Sequence, residues 1–217
     1  MAEPFVIAID GPAASGKSSV SKLLARRLRC SHVNSGALYR AATWGIIKAG
    51  ADPADPAATA AAAAHLRLDW APHGSTFTLI INGEDPGPHL RDAAVAAHVS
   101  AVSSVAAVRD LLTTELRRMA EGRSLIMEGR DIGSVVFPET PYKFYIDASE
   151  SVRLRRRQDQ GESDSPLSRD KQDSSRKTAP LKVAKDAVVI DSTHLSLEDV
   201  VAEVLQHLHA RGLSLPE

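Results

Sequence analysis

Gly11-Pro12-Ala13-Ala14-Ser15-Gly16-Lys17-Ser18 has the spacing of a phosphate-binding loop: glycine, four residues, then glycine-lysine-serine. Each residue type there has a chemical reason. Glycines let backbone N–H groups turn inward without a Cβ clash. A helix opening at the end of the loop aims its partial positive charge at an anion. Lys17 adds a mobile full charge for the β- and γ-phosphates, and the Ser18 hydroxyl suits Mg²⁺. The loop and Ser19 therefore read as the binding site of a nucleoside triphosphate, with Ser18 as the candidate metal ligand. The motif states what is bound and leaves open what the bound molecule is for.

Two further groups of residues suit anions. Asn34-Ser35-Gly36-Ala37-Leu38-Tyr39-Arg40 follows Val33, and Glu128-Gly129-Arg130-Asp131 follows the apolar run Ser124-Leu125-Ile126-Met127. A charged quartet closing a buried strand is hard to explain as packing. Arg40 and Arg130 are candidates for bidentate recognition of a second phosphate. Between residues 153 and 178 lie Arg153, Arg155, Arg156, Arg157, Arg169, Lys171, Arg176 and Lys177, with few apolar residues. That stretch reads either as a solvated loop and helix face or as a mobile lid over anionic substrates.

The reaction class follows from what the acceptor needs. No glycine-rich serine elbow is present, Cys30 falls at a predicted helix end, and the histidines show no metal-ligand spacing. A phosphate monoester has a second pKa of about 6, so it is largely dianionic near neutral pH and needs no general base. The obstacle is repulsion between two polyanions, which arginines, lysine and Mg²⁺ relieve. A hydroxyl-bearing acceptor would need a base, for which Asp131 is the candidate.

These residues need a scaffold. Phe5-Val6-Ile7-Ala8-Ile9 predicts a buried strand leading into the loop, and Val20, Leu23, Leu24 and Leu28 give helical spacing after it. Further buried strands are predicted at 124–127, 143–146 and 187–190. All four strands run into an acidic residue, Asp10, Glu128, Asp147 and Asp191, at the end where open parallel sheets place their ligands. Helices are predicted at 38–48 and 57–64, and another is read from Val102, Val105, Arg109, Leu112, Leu116 and Met119. A final helix opens at Ser196 with a capping box to Asp199. Thr76-Phe77-Thr78-Leu79-Ile80-Ile81, bounded by Pro72-His73-Gly74 and the hairpin dipeptide Asn82-Gly83, predicts a small antiparallel piece inserted at about 66–90.

Composition bounds the rest. With 217 residues the chain is one domain with room for an inserted lobe. A net charge of −1 argues against a nucleic-acid or membrane-surface partner. One cysteine excludes an intramolecular disulfide framework, and the absence of an 18-residue apolar run excludes a spanning helix. The expected location is the cytoplasm.

The phosphate loop, residues 34–40, Asn82-Gly83-Glu84-Asp85, Gly129-Arg130-Asp131 and Ala179-Pro180-Leu181 fall in one order along the chain, and in that order they resemble the bacterial cytidylate kinases from about residue 5 to 211. The resemblance implies an α/β fold: a three-layer core with a parallel sheet flanked by helices (about 5–34, 110–150 and 180–211). It also implies a monophosphate-binding lobe (about 35–109) carrying the β-rich insert, and a lid (about 153–178). ATP, with Mg²⁺, would phosphorylate CMP and dCMP, and the enzyme would be a monomer. Arg40 and Arg130 would hold the acceptor phosphate. Ser35, Arg109, Asp131 and Arg176 would face the cytosine, and Ser100, Arg169 and Asp173 the sugar. Lys17, Arg130, Arg153 and Arg157 would serve the transferring phosphoryl group. The chain departs from the family pattern at Asn34 and Glu128, where aspartate is usual, at Ser18, where glycine is frequent, and at Ser174-Ser175, where charged residues are frequent. UMP or another small acceptor is the alternative substrate.

The base-reading set also makes chemical sense by itself. Cytosine presents an N4 donor beside N3 and O2 acceptors, and a carboxylate with arginines complements that array. Uracil would set its O4 acceptor against the carboxylate and leave a buried charge unpaired.

Overall fold

The computed structural model describes residues 3–73, 76–159, 166–176 and 179–214. The chain divides into two compact units, one formed by Met1–Val33 with Gly122–Glu217 and the other by Asn34–Glu121.

In the first unit, β1 (Val6–Asp10), β2 (Ser31–Asn34), β5 (Leu125–Gly129), β6 (Tyr142–Asp147) and β7 (Val188–Asp191) form one sheet in the order β2-β5-β1-β6-β7. β1 pairs in parallel with β5 and β6, and β6 with β7. Alternation along β1 sends Ile7 and Ile9 to a core shared with Val20 and Leu24 of α1 (Lys17–Leu28) and Val201, Val204 and Leu208 of α8 (Leu197–Ala210). The run at 5–9, the helix after the loop and the Ser196–Asp199 capping box all form where the pattern places them. Between β6 and β7 lie α6 (Glu150–Asp159) and α7 (Pro166–Ser175). The fold is α/β, a mostly parallel five-stranded sheet flanked by helices.

The second unit holds α2 (Ser35–Lys48), α3 (Pro56–Ala63), a hairpin of β3 (Leu68–His73) and β4 (Thr76–Ile81), α4 (Ala93–Val102) and α5 (Ala106–Ala120). The hairpin packs closely on α2: a Cβ on Gly45 would lie 2.8 Å from Ile81 Cγ2 and 2.9 Å from Leu66 Cδ2.

Two expectations change here. Asn82-Gly83 does not join the paired strands, because β3 meets β4 on the other side of β4. The dipeptide does make its tight turn, with φ of 51° and 85°, but the chain returns for a single bridge, Ile81 to Glu84. The apolar stripe from Val102 to Met119 is two helices that meet at a bend of 97°. Ser103 and Ser104 end α4 by turning their hydroxyls back onto the carbonyls of Ser100 and Ala101, and Val105 is extended. No single helix among the described residues is long and apolar enough to cross a membrane.

Candidate active site

The loop after β1 is built as a cradle. Gly11 has φ of 154°, and a Cβ there would sit 2.1 Å from the Ile146 carbonyl oxygen, so only glycine fits. Ala14 is left-handed at φ 60°, an uncommon conformation for a residue with a Cβ, and Gly16 follows at φ 94°. Successive reversals of this kind turn backbone N–H groups toward one side, as an anion nest requires. The Ser15 hydroxyl is buried with no hydrogen-bond partner among the described residues. A buried hydroxyl left without a partner inside an anion loop fits a phosphate oxygen as its missing acceptor. Pro12 and Ala13 are buried, Ser18 is half-buried, and Ser19 is exposed.

Lys17 opens α1 and is buried at 9% exposure, its ammonium donating to the Pro12 carbonyl at 2.8 Å. Burial, and next the Arg130 charge, push its pKa down to about 7, against the pull of Glu128, Asp170 and Asp10. The lysine is thus held inside the loop.

Cations surround the loop. Arg130, at the end of β5, donates from Nη1 to the Gly11 carbonyl at 3.0 Å and from Nε to Asp173 at 2.9 Å. Asp173 also pairs with Arg176, so three residues of the expected CMP set stand together in this unit. α6 is inverted relative to an ordinary surface helix: Arg153 and Arg157 are buried while Leu154 is exposed. Arg153 donates to the Ala13 and Ala148 carbonyls, both at 3.1 Å, and pairs with Asp170 of α7. Of the arginines on α6, Arg153 and Arg157 therefore lie off the solvated face, while Arg155 is exposed on it. Asp131 is buried beside Arg130 in sequence. Arg169 belongs to α7, and its side chain lies outside the described residues, as do residues 160–165 and 177–178.

Three residues of this neighbourhood, Asp10, Asp170 and His32, were not among the sequence candidates, and Arg156 was named only with the other arginines of 153–178. Asp10 accepts from the Ile132 and Gly133 amides, both at 2.8 Å, at the start of a π-helical turn (Ile132–Val136). Asp170 accepts from the Ala13 amide at 2.9 Å. Arg156 donates to the Ser15 carbonyl at 3.2 Å and to the Ser192 hydroxyl at 3.0 Å. His32 is buried and 3.1 Å from Glu128 Oε1. A strand ending in an acid hints at Asp10. Nothing in one dimension brings His32 to Glu128 or Asp170 to Ala13.

Glu128 is 1% exposed and also accepts from the Ser18 hydroxyl at 2.6 Å. Burial pushes its carboxyl up, but the His32 hydrogen bond, the Lys17 charge and the Ser18 hydrogen bond together outweigh burial and hold it below the ordinary glutamate value. It is therefore an ionised carboxylate. Among the described residues no group of three acidic, histidine or cysteine side chains forms a metal cage. One hydroxyl and one carboxylate suit Mg²⁺, a hard cation that takes its remaining oxygens from phosphates and water.

The second unit carries the other expected CMP residues. Ser35 is buried as the first residue of α2, whose N-cap is Asn34, its side-chain oxygen accepting from the Ala37 amide at 3.0 Å. The departure from aspartate at Asn34 thus still serves as a cap. Arg109 is 3% exposed, its guanidinium 5.4 Å from the Tyr39 ring centre and its Nη1 donating to the Ser103 carbonyl at 3.2 Å. Arg40 reaches the Leu90 carbonyl at 3.5 Å. Ser100 lies near the end of α4, half-buried.

A family model described as Cytidylate kinase matches residues 7–210. A cytidylate kinase of Mycolicibacterium paratuberculosis (strain ATCC BAA-968 / K-10) is 43% identical over 222 residues, covering 96% of this chain and 95% of that one. One of Limosilactobacillus reuteri (strain DSM 20016) is 38% identical over 216 residues, covering 94% and 95%. The crystal structure of TT1252 from Thermus thermophilus shares the fold, with a TM-score of 0.51 at 21% identity over 98% of this chain and all of that one. With a phosphate loop, the cations bonded to it and this match along nearly the whole length, the chain belongs to the cytidylate kinase family.

Proposed function

We propose that the protein transfers the γ-phosphoryl group of ATP to the phosphate of CMP, and of dCMP, giving the diphosphate and ADP. The bond from the γ-phosphorus to the ADP oxygen breaks, and a new bond forms to an oxygen of the acceptor phosphate. The acceptor is already dianionic, so no proton has to be removed. The observation that carries this reading is Arg130, an acceptor-phosphate arginine whose guanidinium bonds to the first residue of the donor-phosphate loop.

Residues 11–19 bind the ATP phosphates, and Lys17 neutralises charge as it moves toward the leaving oxygen. Arg153 and Arg157, buried on α6, stabilise the phosphoryl group in transit. Arg40 and Arg130 hold the acceptor phosphate. Ser35, Arg109, Asp131 and Arg176 read the base, and Ser100, Arg169 and Asp173 the sugar. Ser18 and Glu128 would hold Mg²⁺, which would supply neutralisation of phosphate charge when bound. Identifying the products tests the reading. Incubation with ATP, Mg²⁺ and CMP is expected to give CDP and ADP in equal amounts by anion-exchange chromatography. ADP with free phosphate and no CDP would contradict it.

A further inference from the structure

Glu128 has a donor on each oxygen. Ser18 of α1 donates to Oε2 at 2.6 Å, and Nε2 of His32 lies 3.1 Å from Oε1. An ionised carboxylate only accepts, so His32 carries its proton on Nε2 and donates it. The three residues come from neighbouring elements: His32 from β2, Glu128 from the adjoining strand β5, and Ser18 from the first turn of α1. The His32 and Glu128 side chains are 7% and 1% exposed, so water does not compete for the contact.

We propose that His32 is a positioning residue for the divalent cation, acting through Glu128 on Ser18. This rests on the reading of Ser18 and Glu128 as the Mg²⁺ ligands. A carboxylate turns easily about its last side-chain bond, because that torsion is broad and two-fold. One donor fixes one oxygen, and a second donor on the other fixes the plane. With the plane fixed, Glu128 takes the Ser18 proton in one direction and leaves the hydroxyl lone pairs for the cation. Groups that orient metal ligands in this way commonly matter 10- to 100-fold for metal affinity. An alternative role for His32 is to satisfy a buried acid and stabilise the fold, without bearing on the metal.

Three variants separate these roles. His32→Leu removes the donor. His32→Asn keeps a polar side chain whose amide is too short to reach Oε1. His32→Gln places an amide N–H near the position of Nε2. The probes are Mn²⁺ binding to the ATP-loaded protein without CMP, followed by electron paramagnetic resonance, and ATP binding in EDTA, followed by calorimetry. Leu and Asn are expected to weaken Mn²⁺ binding about tenfold, as orienting groups do, with ATP binding in EDTA within about twofold. Gln is expected to restore Mn²⁺ binding to within about threefold. The inference is overturned if Leu or Asn binds Mn²⁺ as the unaltered protein does, if ATP binding in EDTA falls in parallel, or if Gln binds no better than Asn. His32→Asn decides the matter if His32→Leu does not fold. If the unaltered protein binds ATP equally well with and without the cation, the assignment of Ser18 and Glu128 to Mg²⁺ fails first, whatever the variants do.

Discussion

The Asp170 carboxylate accepts a hydrogen bond from the Ala13 amide at 2.9 Å, within the loop that cradles phosphate. A backbone N–H that serves a carboxylate is not free for a phosphate oxygen. Asp170 also pairs with Arg153, so the same acid engages both a loop donor and a cation proposed to serve the phosphoryl group. Asp170→Ala is therefore expected to tighten ATP binding, measured by calorimetry without CMP, by about three- to tenfold, equivalent to roughly 1 kcal/mol. Unchanged or weaker binding would show that ATP does not compete with this contact.

Lys17 couples activity to stability. Its native pKa is pushed down to about 7, by burial first and by Arg130 next, from an ordinary value of 10.5. Between pH 7 and 10.5 the unfolded chain holds a proton that the native protein has lost, so this group's contribution to stability rises with pH across that window. Below pH 7 the native state carries the buried charge at full cost. Lys17→Met is expected to lower kcat by about 10³-fold or more, on the scale of losing a preorganised charge contact. Its melting temperature at pH 7 is expected to equal or exceed that of the unaltered protein. A large loss of stability with activity retained would refute both halves.

Asp10 behaves in the opposite sense. Burial pushes its carboxyl up to about 6 from 3.8, against the pull of the Gly133 and Ile132 amides. From about pH 4 to 6 the native protein holds a proton that the unfolded chain has released, so stability falls as pH rises, by about 3 kcal/mol in all. Asp10→Asn cannot titrate and orphans one of two amides, costing roughly 1–3 kcal/mol where the native acid is protonated. Urea unfolding at pH 4 and pH 7 is expected to show the gap between the two proteins shrinking as pH rises. A gap that does not change with pH would contradict the assignment.

Asp131 is the carboxylate proposed to face the cytosine amino group. Asp131→Asn is expected to narrow the preference for CMP over UMP by about ten- to a hundredfold in kcat/KM, the scale of one bidentate base contact. A preserved preference would move base reading to other residues.

What one dimension reveals is local. The strand, loop and helix from Phe5 to Leu28 are legible because apolar period and glycine spacing act within a few residues. The bend at Ser103 is not, since two serine hydroxyls turning onto their own helix look the same in sequence as two exposed serines. Likewise, α6 conceals its burial, because Arg153 and Arg157 face inward and Leu154 outward, the reverse of the usual pattern. The site's cations were legible as types, while their partners were not: Asp173 against Arg130, and His32 against Glu128, join residues far apart in the chain.

The central claim is that these cations serve phosphoryl transfer to a cytosine monophosphate. Steady-state kcat/KM values for CMP, dCMP, UMP, AMP and GMP, read by ADP release with ATP and Mg²⁺ saturating, test it most directly. CMP and dCMP are expected to lead the others by at least tenfold. Faster turnover of AMP or GMP, or no turnover of CMP, would contradict the account.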